Sequence, residues 1–184
     1  MTTTPTIESV ETDTALRKVT QLLQQHISGI GADSLGGDMA NRDAADPEAV
    51  GLFIRDGART VAAINSHRPV SFATGLTAAM PGQVATATEL LIATRSLEHL
   101  AVAPSYRGRG YARALVAAAE ERHRAAGGID LWFGFVDDRE GAALPMYEHL
   151  GFTSITDPGQ LPGVASILGR SRVSRSGTWI YKNL

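Results

Sequence analysis

The sequence predicts one α/β unit, and three observations carry that prediction. At 184 residues the chain is long for one small domain and short for two. Residues 111–126 repeat apolar positions at helical spacing and stop at a glycine pair, whereas residues 129–136 form an unbroken apolar run of strand length. A strand-like segment, 95–103, precedes that helix. Strand, helix and strand in this order point to a right-handed crossover between parallel neighbours.

Taken in order, residues 6–12 suit a short opening strand, and Thr12 or Asp13 can cap a helix running from about Thr14 to Ile27. Its apolar stripe is Leu16, Val19, Leu23 and Ile27, widened by Ala15 and Leu22. Residues 28–47, rich in glycine and aspartate and poor in large apolar groups, read as a loop. From Val50 the period changes, and residues 50–55, 59–65 and 69–78 read as strands of an antiparallel meander, broken at Asp56-Gly57 and at the His67 to Pro69 turn. Residues 83–94 fit strand, loop or helical turn equally. The helix Tyr111 to Ala126 places Ala112, Leu115, Val116, Ala119, His123 and Ala126 on one face and ends at Gly127-Gly128. Trp132, Phe133 and Phe135 of the following strand read as core rather than as an aromatic cage. A short helix ends at Leu150-Gly151, and 152–156 and 178–182 can pair as a terminal hairpin. The link between them, 157–177, rich in Gly, Ser, Arg and Pro, reads as a mobile or substrate-side loop.

Composition excludes several classes of function. Seventeen Lys and Arg against nineteen Asp and Glu give a net charge of −2, which disfavours sequence-blind nucleic-acid binding. With no Cys there is no thiolate nucleophile, disulfide framework or Cys-ligated metal, and the five His show no paired ligand spacing. No apolar run approaches the roughly 18 residues of a membrane span, and Met1 to Thr6 shows no basic flank leading into a signal, so a cytoplasmic, soluble protein without a membrane partner is expected. Charge is uneven along the chain: residues 1–100 are net −4 and residues 101–184 net +2.

That excess of base gathers at Ala103-Pro-Ser-Tyr-Arg-Gly-Arg-Gly-Tyr-Ala112, where a strand end feeds a glycine-rich turn and the long helix. Helix N-termini carry unpaired amides and about half a positive charge, so acids belong there and bases do not. Arg107, Arg109 and Arg113 break this rule, which makes sense if a ligand supplies the negative charge. Gly108 and Gly110 let backbone amides approach that anion closely. The guest is expected to be a phosphate or diphosphate. A Walker loop would need Gly-Lys-Ser or Gly-Lys-Thr, a dinucleotide fingerprint would need glycine at Arg113, and an arginine-glycine RNA tail would be repeated. The remaining alternative is a solvated loop whose arginines pair with surface acids.

Read together, Leu97-Glu-His-Leu-Ala-Val-Ala-Pro-Ser-Tyr-Arg-Gly-Arg-Gly-Tyr-Ala112 and Met146-Tyr-Glu-His-Leu-Gly-Phe152 resemble the two signature blocks of the GNAT superfamily of N-acetyltransferases. Arg107, Gly110 and Ala112 match the first pattern, and the Tyr-Glu and Gly-Phe of the second block match its ending. The blocks span about residues 95–155, a third of the chain. The resemblance implies a mixed α/β (α+β) fold over 1–184 as one N-acetyltransferase domain, its mostly antiparallel sheet flanked by helices and splayed between strands four and five. It further implies acetyl-CoA as cosubstrate, with the turn 107–112 and Arg113 at the diphosphate and backbone groups of Leu100, Ala101 and Val102 along the pantetheine arm. Where the family often has Asn, this chain has Glu140. Pro145 suits only the first turn of the next helix, which is therefore expected to begin near Glu140 or Gly141, with an Asp137 to Glu140 capping box as one way to start it.

By the same resemblance Tyr147 stands where many family members hold the general acid, and a phenol with a pKa of about 10 suits a CoA thiolate. The alternative for Tyr147 is a packed core tyrosine. Glu98 shares a strand face with Leu100 and Val102 and is the candidate base, with Glu89 as a second choice; His99 falls on the opposite face and reads as structural. A backbone amide near Leu100 is the candidate oxyanion donor. The loop acids Asp33, Asp38, Asp43 and Asp46 either attract a cationic acceptor or are simply solvated. The implied reaction moves an acetyl group from acetyl-CoA to a primary amine of a small molecule or peptide in a ternary complex. Its rivals are a catalytically silent acyl-CoA sensor, a protein lysine or N-terminal acetyltransferase, and a nucleic-acid binder using the arginine turn together with Arg170, Arg172 and Arg175. A homodimer is compatible with all of them.

Overall fold

The computed structural model describes residues 5–27, 49–170 and 176–184. The loop 28–47 with its four aspartates, and Arg172 and Arg175, lie outside the described residues. The chain forms two compact units, Met1–His67 with Glu98–Ala125 and Arg68–Leu97 with Ala126–Leu184.

In the first unit β1 (Ile7–Ser9), β2 (Val50–Asp56) and β3 (Arg59–His67) form an antiparallel meander. Gly57, at φ 57°, supplies the left-handed residue of the two-residue β2–β3 loop. Helix α1 (Asp13–His26) starts as its sequence suggests: Thr12 Oγ1 accepts a hydrogen bond from the Ala15 amide at 3.2 Å. Val19, Leu22 and Leu23 pack on Phe53, Ala63, Ala101 and Ala103, and each such Leu or Val contributes about 1.5–3 kcal/mol by leaving water. Helix α4 (Tyr111–Ala126) has the expected bounds and buries Leu115, Val116, Ala119 and His123. The His123 imidazole shares a 2.9 Å hydrogen bond with the buried Ser66 hydroxyl of β3. Gly127 and Gly128, at φ 72° and 67°, provide its stop.

Strand β4 (Thr94–Val102) belongs to both units, its first four residues to the second and its last five to the first. In the second unit it pairs in parallel with β5 (Leu131–Asp137), which pairs antiparallel with β7 (Gly177–Asn183); β6 (Thr153–Ile155) lies on the far side of β7. Read through the shared strand, the order is β1-β2-β3-β4-β5-β7-β6, a mostly antiparallel sheet with one parallel pair. The terminal hairpin forms as expected, with β7 inserted beside β5.

One sequence expectation fails in the second unit. Residues 69–78 are no strand: α2 (Val70–Ala79) and α3 (Val84–Ala93) form a helical hairpin broken at Pro81-Gly82. Phe72, Ala73, Leu76 and Met80 satisfy a helical period as well as Val70, Phe72 and Leu76 satisfy a strand period. Packing decides between them, because Ala73 and Leu76 are buried with Ala87 and Ile167. Thr77 and Thr88 donate to carbonyls one turn back, which satisfies these strand-prone residues inside helices. Val70, Val84 and Ile92, the exposed large apolar side chains among the described residues, all lie on this hairpin.

The segment 157–177, read as a mobile or substrate-side loop, is packed through residue 168. Its described part up to residue 170 holds two 3-10 turns, Pro158–Gln160 and Gly163–Arg170. Leu161, Ala165 and Leu168 are buried with Leu90, Leu131, Phe133 and Trp179. The turns meet at Gly159 and Gly169, where a Cβ on the latter would sit 2.5 Å from Gly159 backbone. Average composition concealed these few apolar anchors.

The C-terminus of α3 is closed by residues of β4. Thr94 Oγ1 donates to Leu90 O at 2.6 Å, and Arg95, 1% exposed, donates from Nη1 to the carbonyls of Leu91, Ile92 and Thr94 at 3.3, 3.2 and 2.7 Å. A cation is favoured at a helix C-terminus, and it answers carbonyls that have no helical donor. Arg95→Met is expected to cost about 2–3 kcal/mol, the range for losing charged hydrogen bonds to buried carbonyls, and to appear as a lower midpoint in thermal melting.

Candidate active site

The parallel β4–β5 ladder runs from Thr94↔Leu131 to Leu97↔Gly134, although β4 continues to Val102 and β5 to Asp137. It stops where the resemblance places the splay. At its last pair a Cβ on Gly134 would lie 3.0 Å from the Leu97 carbonyl oxygen, so glycine permits this close approach. Beyond Leu97 that edge of β4 has no strand partner among the described residues. Ala101 is buried in the core under α1, while Glu98, Leu100 and Val102 alternate onto the other face and stay half-buried. His99 alternates with Ala101, as expected. Glu89 is exposed on α3.

After β4 the chain makes a 3-10 turn, Pro104–Tyr106, and then the arginine-glycine turn. Gly108 and Gly110 have φ 75° and 81°, and among the described residues no atom other than those of their chain neighbours comes within 4 Å of where a Cβ would lie. These left-handed positions favour glycine strongly. The Ala114 amide donates to Gly110 O at 3.0 Å, so the amides of Tyr111, Ala112 and Arg113 precede the first helical bond and are available to an acceptor. The first turn of α4 carries no acidic residue. Arg107, Arg109 and Arg113 are all exposed. Arg107 Nε donates to Val102 O at 3.2 Å and ties the turn to β4.

Arg109 is engaged within its own loop: Nη2 donates to Ser105 O at 3.1 Å and the guanidinium lies 4.8 Å from the Tyr106 ring centre. Tyr106, to which the sequence assigned no role, donates from its hydroxyl to Asp56 Oδ2 at 2.7 Å. That hydrogen bond, with lesser help from burial and from the Asp56 charge, raises the Tyr106 pKa. Its ring stacks on Tyr111 at 6.3 Å and 24°. The one sequence signal was its place inside the motif.

Tyr147 sits in α5 (Leu144–His149) and belongs to the second unit, whereas residues 98–113 belong to the first. It is 9% exposed, with its ring edge-on to Phe152 at 5.8 Å. Burial pushes its pKa up to about 12, and the charge of Glu140 adds to the shift. The short helix begins later than expected. Residues Asp138–Ala143 form a 3-10 turn, α5 starts at Leu144, and Pro145 falls within its first turn. Asp137 caps this turn: its Oδ1 accepts from the Arg139 amide at 3.0 Å, and its carboxylate also pairs with the Arg139 side chain. An N-cap carboxylate reaches the second or third amide, and this one accepts from the second. Phe135 is half-buried against Trp179 at 5.3 Å, and Trp132 and Phe133 are fully buried, as core residues should be.

Among the described residues no cluster of three His, Asp or Glu side chains is arranged to hold a metal ion, and no helix is long and apolar enough to cross a membrane.

The parallel pair of this mixed sheet ends at Gly134, and a basic turn with free amides leads into the start of α4, an arrangement that suits an anion. Residues 57–154, just over half of the chain, match the family model described as acetyltransferase (GNAT) domain, and the protein belongs to the GNAT acetyltransferases. Its fold is similar to that of an acetyltransferase from Streptococcus agalactiae, with a TM-score of 0.67 and 17% identity over 97% of this chain and 98% of that one. The ribosomal-protein-S18-alanine N-acetyltransferase of Escherichia coli is similar at TM-score 0.60 and 17% identity, covering 98% and 93%. The PaiA N-acetyltransferase of Thermoplasma acidophilum, solved in complex with coenzyme A, is similar at TM-score 0.62 and 11% identity, covering 99% and 100%. No curated protein matches the sequence.

Proposed function

We propose that residues 1–184 form a single N-acetyltransferase domain that moves an acetyl group from acetyl-CoA to a primary amine of a small molecule or peptide, directly and within a ternary complex. The observation that carries this reading is the turn itself: two left-handed glycines with open space beside them, three exposed arginines and unpaired amides at an acid-free helix start. Such a turn suits a diphosphate. The coenzyme A complex of the Thermoplasma neighbour and the alanine acceptor in the name of the Escherichia coli one are in keeping with it.

Acetyl-CoA supplies an acetyl group activated as a thioester. The amides of 108–113, with Arg107 and Arg113, would bind the diphosphate, and the backbone of Leu100, Ala101 and Val102 would line the pantetheine arm. Glu98 takes the proton that the attacking amine must lose, directly or through water. The Leu100 amide donates to the acyl oxygen as that atom gains charge. Tyr147 donates to the departing sulfur. Its raised pKa keeps the phenol protonated at neutral pH but makes full proton transfer less favourable than a pKa of about 10 would. Hydrogen-bond donation to the developing thiolate is therefore the first part of its role.

The test is release of free thiol from acetyl-CoA across a panel of primary amines, with the acetylated product checked by mass spectrometry. Amine-dependent release is expected. Tight CoA binding with no release for any amine would replace the enzyme with an acyl-CoA sensor.

A further inference from the structure

We propose that Asp56 and Tyr106 are positioning residues for the phosphate turn, bracing it from the β2–β3 turn, and that Arg109 serves in this brace rather than at the diphosphate. The proposal rests on the acetyl-CoA reading above and adds to it a part of the molecule, the β2–β3 turn, that lies outside both signature blocks.

Tyr106 ends the 3-10 turn and directly precedes Arg107. Its hydroxyl reaches a carboxylate 50 residues away in sequence, at 2.7 Å. Its ring carries the Arg109 guanidinium at 4.8 Å and neighbours the Tyr111 ring at 6.3 Å. One side chain thus contacts a residue between the two left-handed glycines and the first residue of α4. Arg109 folds back onto its own loop, donating from Nη2 to Ser105 O at 3.1 Å, whereas Arg107 donates from Nε to Val102 O. Of the three exposed arginines, Arg109 is therefore the one whose guanidinium end is engaged by the loop's own carbonyl and ring.

The physical need for a brace follows from the glycines. Glycine loses more conformational freedom on ordering than any other residue, and an exposed turn holding two of them would pay that cost when ligand binds. A turn already held in its binding form avoids it. Asp56 suits the task because it ends β2 in register with Arg59 of β3, on backbone fixed by the sheet.

The full-length protein, Tyr106→Phe, Asp56→Asn and the double variant are compared by titration calorimetry with CoA, by thermal melting, and by kcat/KM with two acyl donors. The donors are acetyl-CoA and S-acetyl-N-acetylcysteamine, which has the same thioester and no diphosphate. Each single variant is expected to lose about two- to tenfold in CoA affinity and in kcat/KM for acetyl-CoA, the range for one hydrogen bond. The double variant should lose no more than the worse single one, and the small thioester should react at the wild-type rate. Equal losses with both donors together with lower melting points would make the pair a structural contact only, and full CoA affinity in every variant would overturn the brace outright. Wild-type protein that binds no CoA would remove the acetyl-CoA reading and the brace with it, whereas wild-type binding with unaffected variants would remove the brace alone.

Discussion

Tyr147→Phe is expected to lower kcat about a hundredfold or more while leaving CoA affinity and the melting point close to wild type. Proton donation by a positioned group contributes roughly 10²–10⁴ in rate, and the phenyl ring keeps the edge-on contact with Phe152. The pH behaviour adds a second check. Because burial holds the Tyr147 phenol at about 12, ionisation of this group should not remove activity between pH 9 and 11, as it would for a phenol titrating at about 10.

The same shift couples to folding. The folded pKa is raised above the unfolded value, so the contribution of this group to stability is fully present below about pH 10. It is lost as pH rises through about 12, because the unfolded chain ionises first. A shift of two pH units corresponds to about 3 kcal/mol. Melting between pH 9 and 12 should therefore fall less steeply in Tyr147→Phe than in wild type. Parallel melting curves together with an unchanged kcat would show that Tyr147 merely fills space.

Substitutions in the phosphate turn should separate binding from folding. Arg107→Ala is expected to weaken CoA by roughly ten- to a hundredfold, the loss of a charged hydrogen bond, with little change in melting because the side chain is exposed. Gly110→Asp should act more strongly and less cleanly. It places a negative charge where a diphosphate is proposed to bind, and it forces a side chain onto a residue at φ 81°, which costs about 1–2 kcal/mol of folding on its own. Gly163→Asp, at φ 58° with open space around it, carries similar strain in the second unit and serves as its control. Calorimetry beside melting decides the matter: Gly110→Asp should abolish measurable CoA binding while Gly163→Asp preserves it. Equal losses of affinity in both would mean that the turn responds to strain alone.

At several places where the cause is local along the chain, the sequence by itself determined the outcome. A threonine that caps its own helix, a glycine pair that ends α4, and two glycines that shape a turn all act within a few residues. Helix α4 and the turn of 107–112 were therefore legible to the residue, as was the family. Glu98 and His99 were assigned to opposite strand faces by alternation alone, and the burial of their neighbours agrees.

Only the tertiary structure decided what depends on distant partners. Whether 69–78 is helix or strand turned on Ala87 and Ile167, which complete the core of α2. Leu161 and Leu168 became core because Leu131, Phe133 and Trp179 stand beneath them. The pKa of Tyr147 is set by burial, and the partner of Tyr106 lies 50 residues back in the chain. Periodicity and spacing encode short-range sterics and hydrogen bonding, whereas desolvation and long-range pairing exist only once the chain has brought remote residues together.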